Sequence, residues 1–288
     1  MSFPQVLARD AALIEARLQS ELAAKADQPV THAMRYAARG GKRLRGFLVL
    51  EGARMLGVPE ASAIPAAAAI EALHAYSLIH DDLPCMDDDA LRRGLPTVHV
   101  KWDEATAVLA GDALQTLAFE LLCDPALGSA DVRLALVAGL AKASGIDGMV
   151  LGQALDIAAE TSGTLTLDQI TALQAGKTGA LIGFAAEAGA VIAGADRGPL
   201  RAYAAALGLA FQIADDILDV TGDAAKTGKA VGKDAGAGKA TFVSLLGLEG
   251  ARARAAVLID QACAHLSPYG ARADLLKEAA RFTITRES

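Results

Sequence analysis

Apolar residues recur along this chain at the spacing of amphipathic helices, and proline, glycine and polar clusters separate the periodic stretches. The predicted helices cover residues 3–26, 30–38, 47–56, 61–83, 103–122, 131–144, 146–160, 168–175, 178–194, 199–220, 240–247, 249–266 and 271–283. No repeat array and no domain-sized linker interrupts them. The pattern therefore predicts an all-α protein that forms one domain.

Two interruptions of this pattern differ from ordinary turns. Residues 39–46 read RGGKRLRG, which combines flexible glycine backbone with four cations and can aim several of them at one ligand. Residues 221–239 are rich in Gly, Ala and Lys and lack large apolar side chains, so we expect a mobile loop there. Because lysines dominate its charged residues, this loop resembles a flap that covers phosphate groups.

Composition agrees with packed helices, because 53% of the residues are hydrophobic and only 4% are aromatic. The longest uncharged run, Ala202–Ala214, has 13 residues, and a spanning helix needs roughly 20 apolar ones. We therefore expect buried core rather than a membrane span. The first residues lack the features of a secretory signal, which favours a cytoplasmic location.

Charge and cysteine content exclude several classes of function. A net charge of -7 argues against broad nucleic-acid binding, which normally needs a basic surplus. Cys85, Cys123 and Cys263 lie far apart and form no CxxC pair, so they indicate neither a disulfide framework nor a thiolate zinc site. An anionic ligand would have to meet local basic residues or a metal ion.

Two aspartate clusters each follow a long apolar run: DDLPCMD begins at Asp81 and DDILD begins at Asp215. Carboxylates crowded on a helix repel one another, so two such clusters in one chain indicate a bound cation. Asp215 and Asp219 are four residues apart and share a helix face. Asp87 would diverge from Asp81 on a continuous helix, but Pro84 breaks the helix and allows the chain to turn back.

Oxygen ligands without cysteine or histidine favour Mg²⁺, which keeps several waters and bridges carboxylates to phosphates. The first cluster lacks the alternating ligands, the glycine and the distant glutamate of an EF-hand, so calcium is set aside. For one cluster alone, a solvated polar helix end is the commoner explanation. Two similar clusters lower the weight of that explanation greatly.

Basic residues in several separate groups complete the pattern, and they are the usual partners of phosphate oxygens. They are Lys42, Arg43, Arg45, Arg92, Arg93, Lys177 (beside Thr178), Lys229, Lys233 and Lys239. No GxxxxGK[ST] sequence indicates an ordinary nucleotide site. Together with two carboxylate-held metal sites, these cations predict that two diphosphate groups bind in one cleft.

The strings GGKRLR, EALHAYSLIHDDLPCMDDDALRRGLPTVH, GKTGALI and FQIADDILDVTGD resemble the trans-prenyltransferases of the polyprenyl synthetase family over nearly the whole chain. The resemblance implies a single domain, residues 1–288, with the isoprenoid synthase fold, in which a helical bundle surrounds a deep central cavity. It also implies a homodimer. The implied activity is head-to-tail condensation of isopentenyl diphosphate with dimethylallyl and then geranyl diphosphate, giving the C15 product farnesyl diphosphate.

Other readings of the same sequence stay open. A synthase of geranyl or geranylgeranyl diphosphate, or a non-catalytic regulatory subunit, would keep the same fold. A terpene cyclase or a head-to-head synthase also uses paired acidic motifs. Such enzymes would not need the second set of diphosphate contacts, which is Lys42, Arg45 and His74.

The resemblance also implies roles for individual residues. Three Mg²⁺ ions would join the motifs, two held by Asp81, Asp82 and Asp87 and the third by Asp215 with Asp216 and Asp219. The residues that would hold or cover the allylic substrate are Arg92, Lys177, Thr178, Gln212, Lys229 and Lys239. Isopentenyl diphosphate would contact Lys42, Arg45, His74 and Arg93. The Lys177 and Thr178 carbonyls and the Gln212 side chain would lie near the cationic carbon.

Tyr76 is the candidate for limiting product length. It lies five residues before Asp81, about 7.5 Å along the helix axis, and in similar enzymes an aromatic residue here limits growth at C15. An isolated tyrosine more often packs in a core. Ser77 is small and is expected to block little, and His80 is expected to be structural.

Two departures from the family pattern affect these expectations. Gly46 stands where relatives usually have proline, so we expect a less rigid turn and weaker binding of isopentenyl diphosphate. The last residues read TRES, where relatives often carry a basic tail, so we assign the C-terminus no role as a lid.

Overall fold

The computed structural model describes residues 1–159, 165–222 and 240–286, most of which are helical. The helices are α1 (Phe3–Ala23), α2 (Pro29–Ala37), α3 (Leu44–Met55), α4 (Glu60–Asp81), α5 (Val98–Lys101), α6 (Glu104–Leu122), α7 (Ala130–Ser144), α8 (Met149–Ala159), α9 (Leu167–Gln174), α10 (Ala180–Ala193), α11 (Gly198–Thr221), α12 (Phe242–His265) and α13 (Asp274–Thr285). The prediction of an all-α protein is confirmed.

Several short elements connect these helices. Strands β1 (Leu91–Arg92) and β2 (Leu95–Pro96) form an antiparallel hairpin that the sequence pattern did not indicate. Turns of 3-10 helix cover Pro125–Leu127 and Ser267–Ala273, and a π-helical turn covers Ala175–Gly179. π-helical turns within α-helices occur frequently at functional sites.

Most predicted helix boundaries agree with the structure to within a few residues, but two differ in a way that matters. Helix α3 begins at Leu44, so Arg45 and Gly46 lie in its first turn and not in a glycine hinge. Helix α12 continues through Gly247, whose φ of 72° produces a kink where the sequence predicted a break. Most of the predicted loop, residues 223–239 with Lys229, Lys233 and Lys239, lies outside the described residues.

The chain forms two compact units. The N-terminal unit comprises Met1–Ala138 and Val191–Gly194, and the C-terminal unit comprises Gly139–Ala190 and Ala195–Ser288. Each unit carries one of the two aspartate clusters. A single domain over residues 1–288 stays a prediction.

Helix α4 is the centre of the N-terminal unit, where it packs against α1, α3 and α6. The run Ala66–Ala69 is fully buried, and such small side chains let neighbouring helices approach closely. Phe3 and Phe47 add an edge-to-face aromatic contact with ring centroids 5.4 Å apart. This packing fixes the C-terminal end of α4, where the first aspartate cluster begins.

Helix α11 is the centre of the C-terminal unit, and it packs against α12, α13 and the π-helical turn. The buried Tyr203 hydroxyl donates a 2.8 Å hydrogen bond to the Leu276 carbonyl. A Cβ added to Gly152 would lie 2.0 Å from the Lys177 nitrogen, so α8 approaches the π-helical turn only because this residue is glycine. The turn that carries Lys177 is therefore closely packed.

Three helical stretches are long and apolar enough to cross a membrane by length and composition alone: Glu60–Asp81, Glu104–Leu122 and Ala130–Ala159. Each stretch contains some charged residues, so a search for long uncharged runs in the sequence does not find it. In the most apolar window of α4, 67% of the residues are buried inside the protein, which is the pattern of a core helix. The windows of the other two are less buried.

Candidate active site

The first aspartate cluster lies where α4 ends. Beyond Leu83 the chain turns back, because the Asp87 N–H donates to the Asp81 carbonyl at 2.9 Å and the Asp88 N–H donates to the Leu83 carbonyl at 3.2 Å. Asp88 has a φ of 49°, a strained value for a residue other than glycine. The turn that the sequence predicted at Pro84 is confirmed, and it brings Asp87 back to Asp81.

Asp82 has different surroundings from the two aspartates that flank it. Its side chain is buried, and the Arg92 Nε lies 2.7 Å and 2.9 Å from its two carboxylate oxygens. Burial disfavours the charged form of Arg92, but the hydrogen bonds and charge of Asp82 outweigh that effect and raise its pKa. Asp82 thus fixes the orientation of the Arg92 guanidinium.

The fit of these residues to Mg²⁺ can be judged from their exposure and chemistry. Among the described residues, no three His, Cys, Asp or Glu side chains cluster closely enough to hold a metal. Mg²⁺ commonly takes only one or two carboxylates and completes its coordination with water and phosphate oxygens. Asp87 is exposed and Asp81 partly exposed at one chain reversal, so both fit this ion. Asp82 fits less well because Arg92 engages both of its oxygens.

A second group of predicted site residues meets beside α4. The Arg45 Nη1 lies 3.5 Å from the His74 Nε2. The Arg93 Nη1 donates to the Arg39 carbonyl at 3.0 Å. A Cβ at Gly41 would lie 2.6 Å from the Arg93 Nη2, so this glycine provides space for the guanidinium. Lys42 is exposed on the same turn.

Burial and the neighbouring arginines together determine the protonation of His74. Burial lowers the pKa of its imidazole well below 6.5, and the charges of Arg45, Arg93, Arg92 and Arg43 lower it further. His74 is therefore neutral at physiological pH. Because Arg45 can only donate, the His74 Nε2 accepts and its proton lies on Nδ1.

Gly46 has a role that the sequence did not indicate. It is buried, its N–H donates to the Glu71 Oε1 at 2.8 Å, and a Cβ there would lie 2.4 Å from the Ile14 Cδ1. The buried Glu71 also pairs with Arg43 at 3.5 Å. Gly46 is thus closely packed, and the expectation of a loose turn at this position is wrong. A proline here could not donate to Glu71.

A pocket of about 460 Å³, partly open to solvent, lies beside α4 in the N-terminal unit. Tyr36 borders it and donates from its hydroxyl to the Pro96 carbonyl at 2.7 Å. Both apolar side chains and basic or polar ones line it. The lining includes Arg39, Ala75, Leu78, Ile79, Asp82, Arg92, Arg93, Thr97 and Val98.

Tyr76, the predicted chain-length residue, is partly buried on α4. Burial raises the pKa of its phenol, and the charges of Asp81 and Asp112 raise it further. Its ring contacts the His80 ring edge to face. The neighbouring Ser77 hydroxyl donates to the His74 carbonyl at 2.9 Å, so this small side chain is held against its own helix.

The second aspartate cluster lies on α11, which continues through it without a break. Asp216 is buried and accepts from the Phe242 N–H at 2.8 Å and from the Gln212 Nε2 at 3.1 Å. Asp215 and Asp219 are partly exposed, and they lie about 100° and about 60° around the helix from Asp216. Asp216 is therefore held by backbone and amide donors, whereas its neighbours face more solvent.

Thr178, which follows Lys177 in the chain, contacts Gln212 in the C-terminal unit. The Thr178 hydroxyl donates to the Gln212 Oε1 at 3.2 Å, which extends the hydrogen-bond chain that reaches Asp216. The Lys177 Nζ donates to the Asp156 Oδ2 at 2.6 Å. Asp156 is a site residue that the sequence motifs do not include, although a carboxylate within the apolar residues of α8 could have indicated it.

Arg286 is a second site residue outside the sequence motifs. It forms a hydrogen-bonded ion pair with Asp215, and its guanidinium lies 3.9 Å from the centroid of the Phe211 ring. Its Nε is buried and has no hydrogen-bond partner among the described residues. The sequence gives Arg286 no signal beyond a single charge near the chain end, because the contact depends on how α13 packs against α11.

Comparisons with known proteins agree with this arrangement. A family model described as polyprenyl synthetase matches residues 27–268. The farnesyl diphosphate synthase of Escherichia coli K12 is 52% identical over 243 residues, which are 81% of this chain and 80% of that protein. A ligand-free crystal structure of an FPP/GFPP synthase from Zymomonas mobilis has a TM-score of 0.90 and 49% identity, covering 98% of both chains.

A further solved structure is a geranyltransferase from Helicobacter pylori complexed with magnesium and isoprenyl diphosphate. It has a TM-score of 0.82 and 36% identity, and the match covers 99% of this chain and 97% of that one. Magnesium and an isoprenyl diphosphate thus bind a protein of the same fold.

Proposed function

The chain belongs to the polyprenyl synthetase family, and from that membership we propose that it is a magnesium-dependent farnesyl diphosphate synthase. It joins isopentenyl diphosphate head to tail with dimethylallyl and then geranyl diphosphate, and it releases diphosphate at each step. Curated relatives with this function at 44–52% identity support the assignment.

The observation that carries the proposal is that metal-binding carboxylates and basic side chains that suit a diphosphate form two separate groups. Asp81 and Asp87 supply carboxylates at one chain reversal. Arg45, Arg93 and the neutral His74 form a separate basic group beside α4. An enzyme with a single diphosphate substrate would need only one of these groups. A reaction between two diphosphates needs both.

Each substrate has its own proposed contacts. Isopentenyl diphosphate binds Lys42, Arg45, His74 and Arg93. The allylic diphosphate binds Arg92, Lys177, Thr178 and Gln212, with Lys229 and Lys239 as further contacts outside the described residues. Asp82 and Asp156 position Arg92 and Lys177 through their ion pairs.

Magnesium would supply Lewis-acid stabilisation of the departing diphosphate. We propose three ions, with Asp81 and Asp87 as ligands of two, Asp215 and Asp219 as ligands of the third, and Asp82 and Asp216 supporting them. Arg92 and Lys177 add positive charge where negative charge develops. The Lys177 and Thr178 carbonyls and the Gln212 amide oxygen present partial negative charge, which stabilises an allylic cation.

Tyr76 limits the product to C15 in this proposal. The growing chain extends from the diphosphate end near Asp81 along α4 and meets the partly buried ring of Tyr76, a residue about 7.5 Å earlier along the helix axis. Ser77 leaves that path open because its side chain is small and held against the helix backbone.

The proposal includes a homodimer in the cytoplasm. Exposed apolar side chains on α6, Val108 and Leu109, offer surface that a second copy could cover. Sedimentation velocity of the purified protein tests the dimer, and a mass of one chain would contradict it. Cell fractionation tests the location.

Product analysis tests the function directly. Purified protein is incubated with labelled isopentenyl diphosphate and either dimethylallyl or geranyl diphosphate, with Mg²⁺ or with EDTA, and the products are sized by chromatography. We expect a dominant C15 product that requires Mg²⁺. A dominant C10 or C20 product would identify a geranyl or geranylgeranyl diphosphate synthase, and no product from either starter would indicate a regulatory subunit.

A further inference from the structure

Tyr76 is in contact with a second aromatic ring on the same helix. Its ring meets the ring of His80, one helical turn later on α4, with centroids 5.0 Å apart and planes at 80°. This edge-to-face geometry is a favourable arrangement of two aromatic rings. Tyrosine is free to change rotamer unless neighbours prevent it, so the position of His80 influences the position of the Tyr76 ring.

The His80 ring is in turn fixed by the neighbouring helix. Its Nε2 lies 3.0 Å from the Val108 carbonyl oxygen on α6. A carbonyl oxygen only accepts, so the Nε2 carries the proton and donates. The same nitrogen lies 3.9 Å from the Asp112 carboxylate. His80 therefore connects α4 to α6 in one orientation and one tautomer.

Gly111 provides the space that this orientation requires. A Cβ at Gly111 would lie 2.1 Å from the His80 Nε2 and 2.4 Å from its Cδ2, closer than real Cβ atoms come to other atoms. Gly111 is buried in the interior of α6, where glycine is disfavoured relative to alanine. Its position directly beneath the imidazole gives a packing reason for the exception.

We propose that His80 is a positioning residue for product length and that Gly111 provides its clearance. His80 holds the Tyr76 ring across the path of the growing chain, and without that support the ring turns aside when a longer chain presses on it. The inference rests on the proposed function, because it concerns how a C15 synthase stops at C15.

Three single variants test this role. Gly111→Ala displaces the imidazole, His80→Gln keeps an N–H donor but removes the ring, and His80→Phe keeps a ring but cannot donate to Val108. Loss of an edge-to-face contact corresponds to a change of about two- to twelvefold in an equilibrium. We expect Gly111→Ala and His80→Gln to raise the ratio of C20 to C15 product by about that factor. His80→Phe should raise it less.

A double-mutant cycle separates positioning from general damage. If Gly111 acts through His80, Gly111→Ala should leave the product ratio unchanged in a His80→Ala background. Likewise, neither His80 variant should change the ratio further in a Tyr76→Ala background. Gly183→Ala is the matched control, because it is the same substitution within a helix and a Cβ there would meet nothing within 4 Å.

The outcomes are distinguishable. Wild-type protein is assayed first, and a dominant product other than C15 would refute the proposed function before any variant is made. With a C15 wild type, a raised C20 fraction in Gly111→Ala and His80→Gln, but not in Gly183→Ala, supports the inference. A lower melting temperature with an unchanged product ratio would show that His80 is only structural. If Gly111→Ala does not fold, the product ratios of the two His80 variants still test the inference.

Discussion

In each aspartate cluster one of two adjacent aspartates is buried, but the buried aspartate has different hydrogen-bond partners in the two clusters. In each, the second member of an adjacent pair, Asp82 or Asp216, is buried and bound by protein donors, whereas the first, Asp81 or Asp215, is partly exposed. Asp82 binds a charged guanidinium, that of Arg92. Asp216 accepts from an amide and from a backbone N–H. Adjacent carboxylates thus have different surroundings, because consecutive residues of a helix point in directions about 100° apart.

The backbone around the clusters also differs. The described chain has three residues other than glycine with positive φ, Arg43, Asp88 and Arg93; all lie in the N-terminal unit, and Asp88 directly follows the first cluster. The second cluster lies on a regular helix. Strain of this kind persists only where the surrounding structure fixes it, and it occurs often at functional sites. The first cluster therefore depends more on its surroundings than the second.

The largest expected effect is on activity. Asp81→Asn and Asp215→Asn each remove a proposed metal ligand, and we expect turnover to fall by about 10²- to 10³-fold, with the larger loss for Asp81→Asn. Steady-state kinetics at saturating Mg²⁺ measures this. Asp131→Asn, on the exposed start of α7, is the control. Equal losses at the two clusters would contradict the unequal roles.

Replacing the two buried aspartates, Asp82 and Asp216, should lower the free energy of unfolding by different amounts. Asp82→Ala leaves the mostly buried Arg92 without its carboxylate, which we expect to cost about 3–5 kcal/mol. Asp216→Ala leaves the neutral Phe242 N–H and Gln212 amide unsatisfied, which should cost about 1–3 kcal/mol. Urea unfolding of both variants gives the two free energies. A larger loss of stability in Asp216→Ala than in Asp82→Ala would contradict this prediction.

Gly46→Pro tests the packing of Gly46 against α4 and α1. It removes the N–H that donates to Glu71, and a hydrogen bond to a charged group is worth about 1.5–3 kcal/mol. We expect a loss of about that size in the free energy of unfolding. Gly46→Ala keeps the N–H and meets the Ile14 methyl, so adding Ile14→Val should restore stability to Gly46→Ala but not to Gly46→Pro. Unchanged stability in Gly46→Pro would support the looser turn expected from sequence.

His74 should make stability depend on pH. Its folded pKa lies well below 6.5, so below that pH the unfolded chain binds a proton that the folded chain does not. Stability should therefore fall as the pH drops below 6.5, with a slope of at most about 1.4 kcal/mol per pH unit from this residue. Urea unfolding of His74→Gln from pH 7.5 to 5 should show a shallower slope. An identical slope would mean that His74 is protonated in the folded protein.

The smallest expected effect concerns Arg286 at the second cluster. Its ion pair with Asp215 competes with a metal ion for the same carboxylate. Partly exposed pairs are worth up to about 1 kcal/mol, so Arg286→Ala should lower the half-saturating Mg²⁺ concentration by up to about fivefold. A Mg²⁺ titration of activity measures this, with Arg252→Ala on the exposed face of α12 as the control. A higher Mg²⁺ requirement would instead mean that Arg286 supports the metal site.

The sequence by itself determined the helical class, most helix boundaries, the two aspartate clusters and the turn at Pro84. These features follow from local causes: helical periodicity, the missing N–H of proline, and carboxylates concentrated at helix ends. The grouping of Lys177, Thr178 and Gln212 came from the family resemblance.

Only the tertiary structure decided which carboxylate of each cluster is buried, what Gly46 and Gly111 make room for, and where Arg286 binds. Each of these depends on an atom from a distant part of the chain: Arg92 for Asp82, Glu71 for Gly46, His80 for Gly111 and Asp215 for Arg286. A sequence pattern records which residues share a helix face. It does not record which face of another helix fills the space beside them, because that depends on how the helices pack.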